Sequence, residues 1–222
     1  MKKGTFIVFE GLDGSGKTTQ LKSLHTYITK EKGIKCKEER EPSEGLPGAL
    51  ARGAIKRKMQ FEPHTMALLF AADRYEHIKH DIQPYLDKGI HVICDRYVLS
   101  NFAYQGLACD FDSVYEYNKA AMSLLMPNLT VFIDTEPEES AQRMEKSRIG
   151  DELFDKDGVL IRQSFYNAID FLTQKGFLEV FDKNNLDSSD NCNKSKLVII
   201  KGNQSEIELT AEIIKLTEPF LR

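Results

Sequence analysis

Residues Gly11 to Thr19 read GLDGSGKTT, and within them Gly11, Gly16, Lys17 and Thr18 satisfy the spacing G-x-x-x-x-G-K-[ST]. Glycine lets a chain curl until successive backbone N–H groups converge, and a helix starting there adds partial positive charge. A lysine so placed reaches the β- and γ-phosphates of a nucleotide, and the following hydroxyl ligates Mg2+. A glycine-rich turn can show this spacing by chance. Here an apolar run, FIVFE, precedes it and a helical pattern follows, which is the context a phosphate-binding loop requires. Gly11, Leu12, Asp13, Gly14, Ser15, Gly16, Lys17, Thr18 and Thr19 are therefore expected to hold the polyphosphate of ATP.

A phosphate loop alone does not separate a switch, a motor and a kinase. Two further segments bear on that choice: EEREP carries Arg40, and CDRY carries Asp95 and Arg96. A surface arginine is ordinarily a solvated charge. Two arginines at the ends of parallel strands, facing a phosphate loop, suggest more, because a planar guanidinium grips phosphate in a bidentate way. Two phosphate sites face to face describe phosphoryl transfer between nucleotides.

The elements that must position these residues follow from the hydrophobic pattern. Short strand-like runs occur at TFIVFE, IKCKEERE, HVICD, LTVFID and KLVII, the second less apolar and halted by Pro42. Helical patterns fill the intervals. The first runs from Lys17 to Gly33 with Leu21, Leu24 and Ile28 on one face, and others cover about 46–58, 63–87, 112–125, 137–147, 159–175 and 205–221. Strands alternating with helices imply an α/β fold, a parallel sheet covered on both faces. Ligands bind such sheets beyond the carboxyl ends of the strands, where Glu10, Arg40, Asp95 and Asp134 would gather. Asp134 serves equally well as a cap for the next helix, together with Thr135. The 222 residues suit one domain, 1–222, with the polar stretch 182–195 as an exposed excursion before the last strand.

Composition excludes several classes. Hydrophobic residues make up 41% and charged residues 29%, and a net charge of −4 with dispersed Lys and Arg offers no basic stripe to nucleic acid. No apolar stretch nears the ~20 residues of a membrane helix. The run from Phe6 to Phe9 is also shorter than a signal-peptide core of about 7–15 residues. Cys36, Cys94, Cys109 and Cys192 show no metal-type spacing, and two lie in strand-like runs as small hydrophobes, so a reducing cytoplasm is expected. His77 and His80 could share a helical face toward a metal, without an evident third ligand. Lys56, Arg57 and Lys58 form a basic run at a helix end, where the dipole favours cations.

In this order and spacing, FEGLDGSGKTTQL, REP, LLFAADRYEHI, CDRYVLSNFAYQG and PNLTVFIDTEPE resemble the thymidylate kinase family, from about residue 6 to residue 166. The resemblance implies a P-loop nucleoside monophosphate kinase with a five-stranded parallel sheet, helices on both faces, a lid segment and a homodimeric assembly. It implies transfer of the γ-phosphate of ATP to dTMP, with Mg2+, giving dTDP for dTTP synthesis. Lys17 would neutralise the migrating group, with Thr18 and Asp95 at the metal. Arg40 and Arg96 would hold the dTMP phosphate, and Asp13 would accept from the sugar 3′-hydroxyl. Phe70 would stack on thymine while Arg74, four residues on and so on the same helical face, bonds its O4. Core packing is the ordinary use of such a phenylalanine. Ser100, Tyr104 and Gln105 would run along base and sugar, Tyr104 crowding the ribose 2′ position and Gln105 offering a donor and an acceptor.

The chain departs from the family in two places. Positive charge at the transferring group can be worth about 10³–10⁵ in rate, yet Leu12, Asp13, Gly14 and Ser15 include no basic residue. The lid, about 145–158, must supply it; Arg148 is the expected residue and Arg143 the second. The family often has an arginine where this chain reads GDELFD, and commonly two glycines and a threonine where it reads SEGLPG, with Ser43 and Glu44 in that turn. Two rivals remain in view. A deoxynucleoside kinase needs a base beside the sugar 5′-hydroxyl and would leave Arg40 and Arg96 without a phosphate. A nucleotide-dependent switch specific for guanine needs an N-K-x-D run, which the sequence lacks.

Overall fold

A computed structural model describes residues 3–147, 157–183 and 194–221 of the chain. Arg148, most of the expected lid and most of the polar stretch 182–195 lie outside these residues.

Six strands form one parallel sheet: β1 Phe6–Gly11, β2 Cys36–Arg40, β3 His91–Asp95, β4 Leu129–Asp134, β5 Leu178–Val180 and β6 Ser195–Lys201. Their order is β2-β3-β1-β4-β6-β5. The expected sheet had five strands, so β5 is a correction. It is three residues at an edge, too short to show any alternation. It forms because β6 presents a free edge, along which Leu178, Glu179 and Val180 pair with Ser195, Lys196 and Leu197.

The helices are α1 Lys17–Thr26, α2 Leu46–Ile55, α3 Pro63–His77, α4 Gln83–Asp87, α5 Val98–Gln105, α6 Phe111–Leu124, α7 Pro137–Ser147, α8 Gly158–Gln174 and α9 Glu206–Thr217. A wider turn, Ile78–Ile82, joins α3 to α4, so the expected 63–87 segment runs on as nearly continuous helix. Helix α5 is absent from the expected set. It is only eight residues long, and its polar positions Ser100, Asn101, Tyr104 and Gln105 are buried along the cleft rather than turned to solvent.

The central strands are apolar on both sides because both faces of the sheet are covered. Phe6 and Val8 of β1 point into one layer with Val92, Phe132, Phe102 of α5 and Phe165 of α8. Ile7 and Phe9 point into the other with Ile93, Val131, Leu24 of α1 and Ile213 of α9. β2, at the opposite edge from β5, is only partly buried, which explains its polar sequence. β1 lies between β3 and β4, and the register sets Arg40 beside Asp95, Asp95 beside Phe9, and Gly11 beside Ile133. The carboxyl ends thus meet at the point where the order departs on both sides of β1, where open α/β sheets hold ligands.

Leu24 is fully buried under the sheet. Leu24→Ala should cost about 2–5 kcal/mol, read as a lower denaturant midpoint with an unchanged slope; a loss below ~1 kcal/mol would show that α1 does not depend on this packing.

Candidate active site

The turn between β1 and α1 is shaped by glycine where no other residue serves. Gly16 precedes α1 at φ 97°, and no side chain caps the helix, so its first-turn N–H groups are available to an anion. Gly14, at φ 77°, lies so close to α7 that a Cβ would come within 2.4 Å of the Ser140 carbonyl oxygen. Lys17 is buried and folds back over the loop, its Nζ donating to the carbonyls of Gly11 (3.0 Å) and Leu12 (2.6 Å). Burial, with Arg96 nearby, brings the Lys17 ammonium down to about 8. Thr18 opens α1 and donates to Asp95 Oδ2 at 2.6 Å, while Asp95 Oδ1 is buried without a hydrogen-bond partner. A hydroxyl and a carboxylate with an oxygen to spare are the hard donors that Mg2+ prefers. Thr19 is exposed on the same first turn.

Arg96 follows β3 in the left-handed region, at φ 71°. Its backbone N–H is fixed by the Phe9 carbonyl at 2.9 Å. One guanidinium nitrogen donates to Ser100 Oγ (2.7 Å); the other donates to Asp13 Oδ1 (2.5 Å) and Tyr104 Oη (3.1 Å). Tyr104 in turn donates to Asp13 Oδ2 at 3.3 Å. Burial works against the charge on Asp13, but Arg96 and then Lys17 outweigh it and hold the carboxyl at about 2.

The start of α5 is capped from a distance. Its own N-cap residue, Tyr97, offers no side-chain bond. Glu10 of β1 does so instead, accepting from the N–H groups of Tyr97 (2.9 Å) and Ser100 (3.1 Å) and from Ser100 Oγ (2.5 Å). Burial pushes the Glu10 carboxyl up to about 7 against those bonds and the Arg96 charge.

A cleft opens beside Arg96, lined by all eight residues assigned to dTMP: Asp13, Arg40, Phe70, Arg74, Arg96, Ser100, Tyr104 and Gln105. Phe70 is half-buried and joins neither apolar layer, so its ring is not committed to core packing. Arg40, at the end of β2, is exposed and donates to Glu44 at 2.7 Å. Arg52 and Asn101 line the cleft too; nothing in their sequence surroundings marks them.

Arg74 is wholly buried, paired with Glu41 at 2.7 Å and donating to Asn101 Oδ1 (3.2 Å) and Asn118 Oδ1. Its Nε has no partner. Asn101 also donates to Gln105 Oε1 at 2.9 Å, which occupies one lone pair of that acceptor and orients the Gln105 amide. Behind Arg74, the buried His77 ring lies 3.3 Å from Glu41 and 3.2 Å from Glu39. Glu39 lies in β2 and Glu41 just beyond its end, so both carboxylates come from the segment that packs beside α3. His80 is exposed and pairs with Glu76 instead.

Opposite the cleft, Arg143 of α7 approaches the phosphate loop. Its guanidinium donates to the carbonyls of Ser15 (3.4 Å) and Gly202 (2.9 Å) and to Glu139 (2.5 Å). Asp134, at the end of β4, accepts two bonds from Arg162, at 2.7 and 2.9 Å, and one from Tyr166 at 2.9 Å, so its carboxylate is engaged by α8.

Burial disfavours a charged His77, but its hydrogen bonds to the Glu39 and Glu41 carboxylates prevail and raise it from 6.5 to about 10. A base whose folded pKa is raised contributes stability that is complete below 6.5 and is lost as pH climbs toward 10. Lys17, lowered from 10.5 to about 8, acts with the opposite sign in the upper part of that window. The difference between wild type and His77→Gln therefore isolates the histidine. The wild-type advantage in urea midpoint should shrink steadily from pH 6.5 to 10; a constant difference would mean that His77 is not held as a cation.

A family model described as thymidylate kinase matches residues 9–210. A thymidylate kinase of Bacillus cereus is 34% identical over 224 aligned residues, covering 99% of both chains. One from Bacillus cytotoxicus is 31% identical over the same share of each. One from Caldicellulosiruptor saccharolyticus is 38% identical over 174 residues, 75% of this chain and 81% of its own length. With the phosphate loop, the paired arginines and the cleft in one fold, these matches extend over nearly the whole chain, and the chain belongs to the thymidylate kinase family.

Proposed function

We infer that the chain transfers the γ-phosphoryl group of ATP to dTMP, yielding ADP and dTDP. The observation that carries this reading is Arg96, whose one guanidinium touches Asp13 of the phosphate loop and Ser100 and Tyr104 of the cleft. Two anion sites that share a cation are sites for two phosphates about to react.

Each residue then has a task. The loop N–H groups and Lys17 receive the ATP phosphates, and Lys17 follows the charge on the migrating group. Thr18 and Asp95 would hold Mg2+, which when bound supplies further neutralisation of the phosphates. Arg40 and Arg96 bind the dTMP phosphate and aim its oxygen along the line of attack. Phe70 offers a face for the base. Arg74 and Gln105 line the cleft with N–H donors, which suits the O4 carbonyl of thymine and repels the amino group cytosine carries there. Asp13, Ser100 and Tyr104 flank the sugar side. Asp13, ion-paired and held at about 2, is a poor base for a free 5′-hydroxyl, which speaks against a deoxynucleoside kinase.

Arg148 remains our choice for the charge delivered on lid closure, with Arg143, which donates to the Ser15 carbonyl of the loop, as the second candidate. No helix among the described residues is long and apolar enough to cross a membrane. The free thiols Cys36, Cys94 and Cys109 suit a reducing cytoplasm. Exposed Leu46 and Leu50 on α2 and Leu68 and Tyr75 on α3, two helices in contact, support a homodimer formed through that face.

A coupled ADP assay over a panel of nucleoside monophosphates tests the reading: turnover should be fastest with dTMP, and no dTMP-dependent ADP would refute it. Lys17→Ala should lower kcat by at least ~10²-fold with an unchanged circular dichroism spectrum; near-normal turnover in the folded variant would remove Lys17 from the chemistry. Arg96→Ala should raise KM for dTMP far more than KM for ATP and lower kcat as well. A selective loss of ATP affinity would put Arg96 in the donor site instead.

A further inference from the structure

The turn after β2 carries an acidic residue where the resemblance leads one to expect glycine, and the fold aims it deliberately. Asp73 of α3 takes the Ser43 backbone N–H at 2.7 Å and the Ser43 hydroxyl at 2.5 Å, and Ser43 Oγ accepts the Gly45 N–H at 3.0 Å. With both neighbours fixed, the Glu44 side chain turns back toward the cleft mouth. One carboxylate oxygen lies 2.7 Å from Arg40 and the other 3.1 Å from Arg52. Arg52 is itself braced by a 3.1 Å bond to the Pro42 carbonyl.

A carboxylate shared by two guanidiniums from different elements has the bonding of a phosphate held by the same pair. Both arginines line the acceptor cleft, and Glu44 does not. Resting on the dTMP reading above, we propose that the Glu44 carboxylate is an internal counter-ion that engages Arg40 and Arg52 from outside the cleft, and that the dTMP phosphate must win these guanidiniums from it to bind. The hydrogen bond from Arg40 and the charge of Arg52 hold its carboxyl below the ordinary range, so it competes as an anion at neutral pH. The pair is weak enough to yield. Arg40 is 66% and Glu44 73% exposed, so water screens their attraction, and the released carboxylate swings into solvent. A nucleotide phosphate near its second ionisation brings more charge and more acceptor oxygens than the carboxylate it replaces.

Glu44 would thus set how tightly the acceptor is held without touching it. Glu44→Gln should tighten dTMP about twofold to fivefold by calorimetry, the range open to an exposed ion pair. Thymidine has the same base and sugar but no phosphate, so its affinity should stay within about twofold. Adding Arg52→Gln should remove most of the gain. Unchanged or weaker dTMP binding in Glu44→Gln would overturn the proposal and make Glu44 a support for Arg40. Equal tightening of thymidine would overturn it as well, pointing to a change of cleft shape. A wild-type chain that turns over dTMP while Glu44→Gln shows no phosphate-dependent gain overturns this inference alone. A wild-type chain without dTMP turnover overturns the function and the inference together.

Discussion

A guanidinium with little access to water needs its counter-charge built in, and the carboxyl edge of this sheet is arranged around that need at Arg96. The side chain is 16% exposed and is met by Asp13 from the phosphate loop and by two hydroxyls from α5. The backbone accepts a left-handed conformation to deliver it, of the kind that costs on the order of 1 kcal/mol or more and persists where the surroundings over-determine it. Those surroundings are the Phe9 carbonyl on one side and the Glu10-capped start of α5 on the other. Consecutive residues of β1 thus fix the arginine and the helix that carries its partners. A shift in β1 would be felt at both.

The base end of the cleft rests on a different balance. Arg74, Glu41, His77 and Glu39 form an alternating row of charges, three of the four almost fully buried. Such rows gain little over apolar packing, since desolvation consumes most of the attraction. Their use is geometric. Arg74 engages Glu41 and the two asparagines through its terminal nitrogens, which locks the guanidinium plane. Donors held in a fixed plane discriminate between a carbonyl and an amino group better than those of a mobile side chain.

Much of this was legible in the sequence. The phosphate loop combines a fixed spacing with a strand and a helix, and the other apolar runs are buried on both faces and so read as continuous. What escaped has physical causes. Helix α5 is a short run of eight buried residues whose polar stripe faces the cleft rather than water, and its cap sits in another element, beyond any local window. β5 exists only because a neighbour offers an edge. Gln105 reads as donor and acceptor, but Asn101 occupies one lone pair of that acceptor, a contact one turn away that depends on rotamers. Arg52 looks like any helical arginine until the turn after β2 folds against it. Local chemistry is written in short motifs; the assignment of partners is written in packing.

Because Arg96 divides its bonds between the loop and the cleft, occupancy on one side alters the electrostatic balance on the other. A phosphate that draws the guanidinium away from Asp13 frees a carboxylate beside Lys17, and a triphosphate that recruits Lys17 changes what Asp13 can offer to Arg96. Such sharing is a coupling free energy, and linkage requires it to be reciprocal: whatever factor the donor nucleotide applies to the acceptor's affinity, the acceptor applies to the donor's. The order in which the two substrates arrive is thermodynamically indifferent, however unequal the two routes are in speed; what the shared side chain sets is the size of the factor.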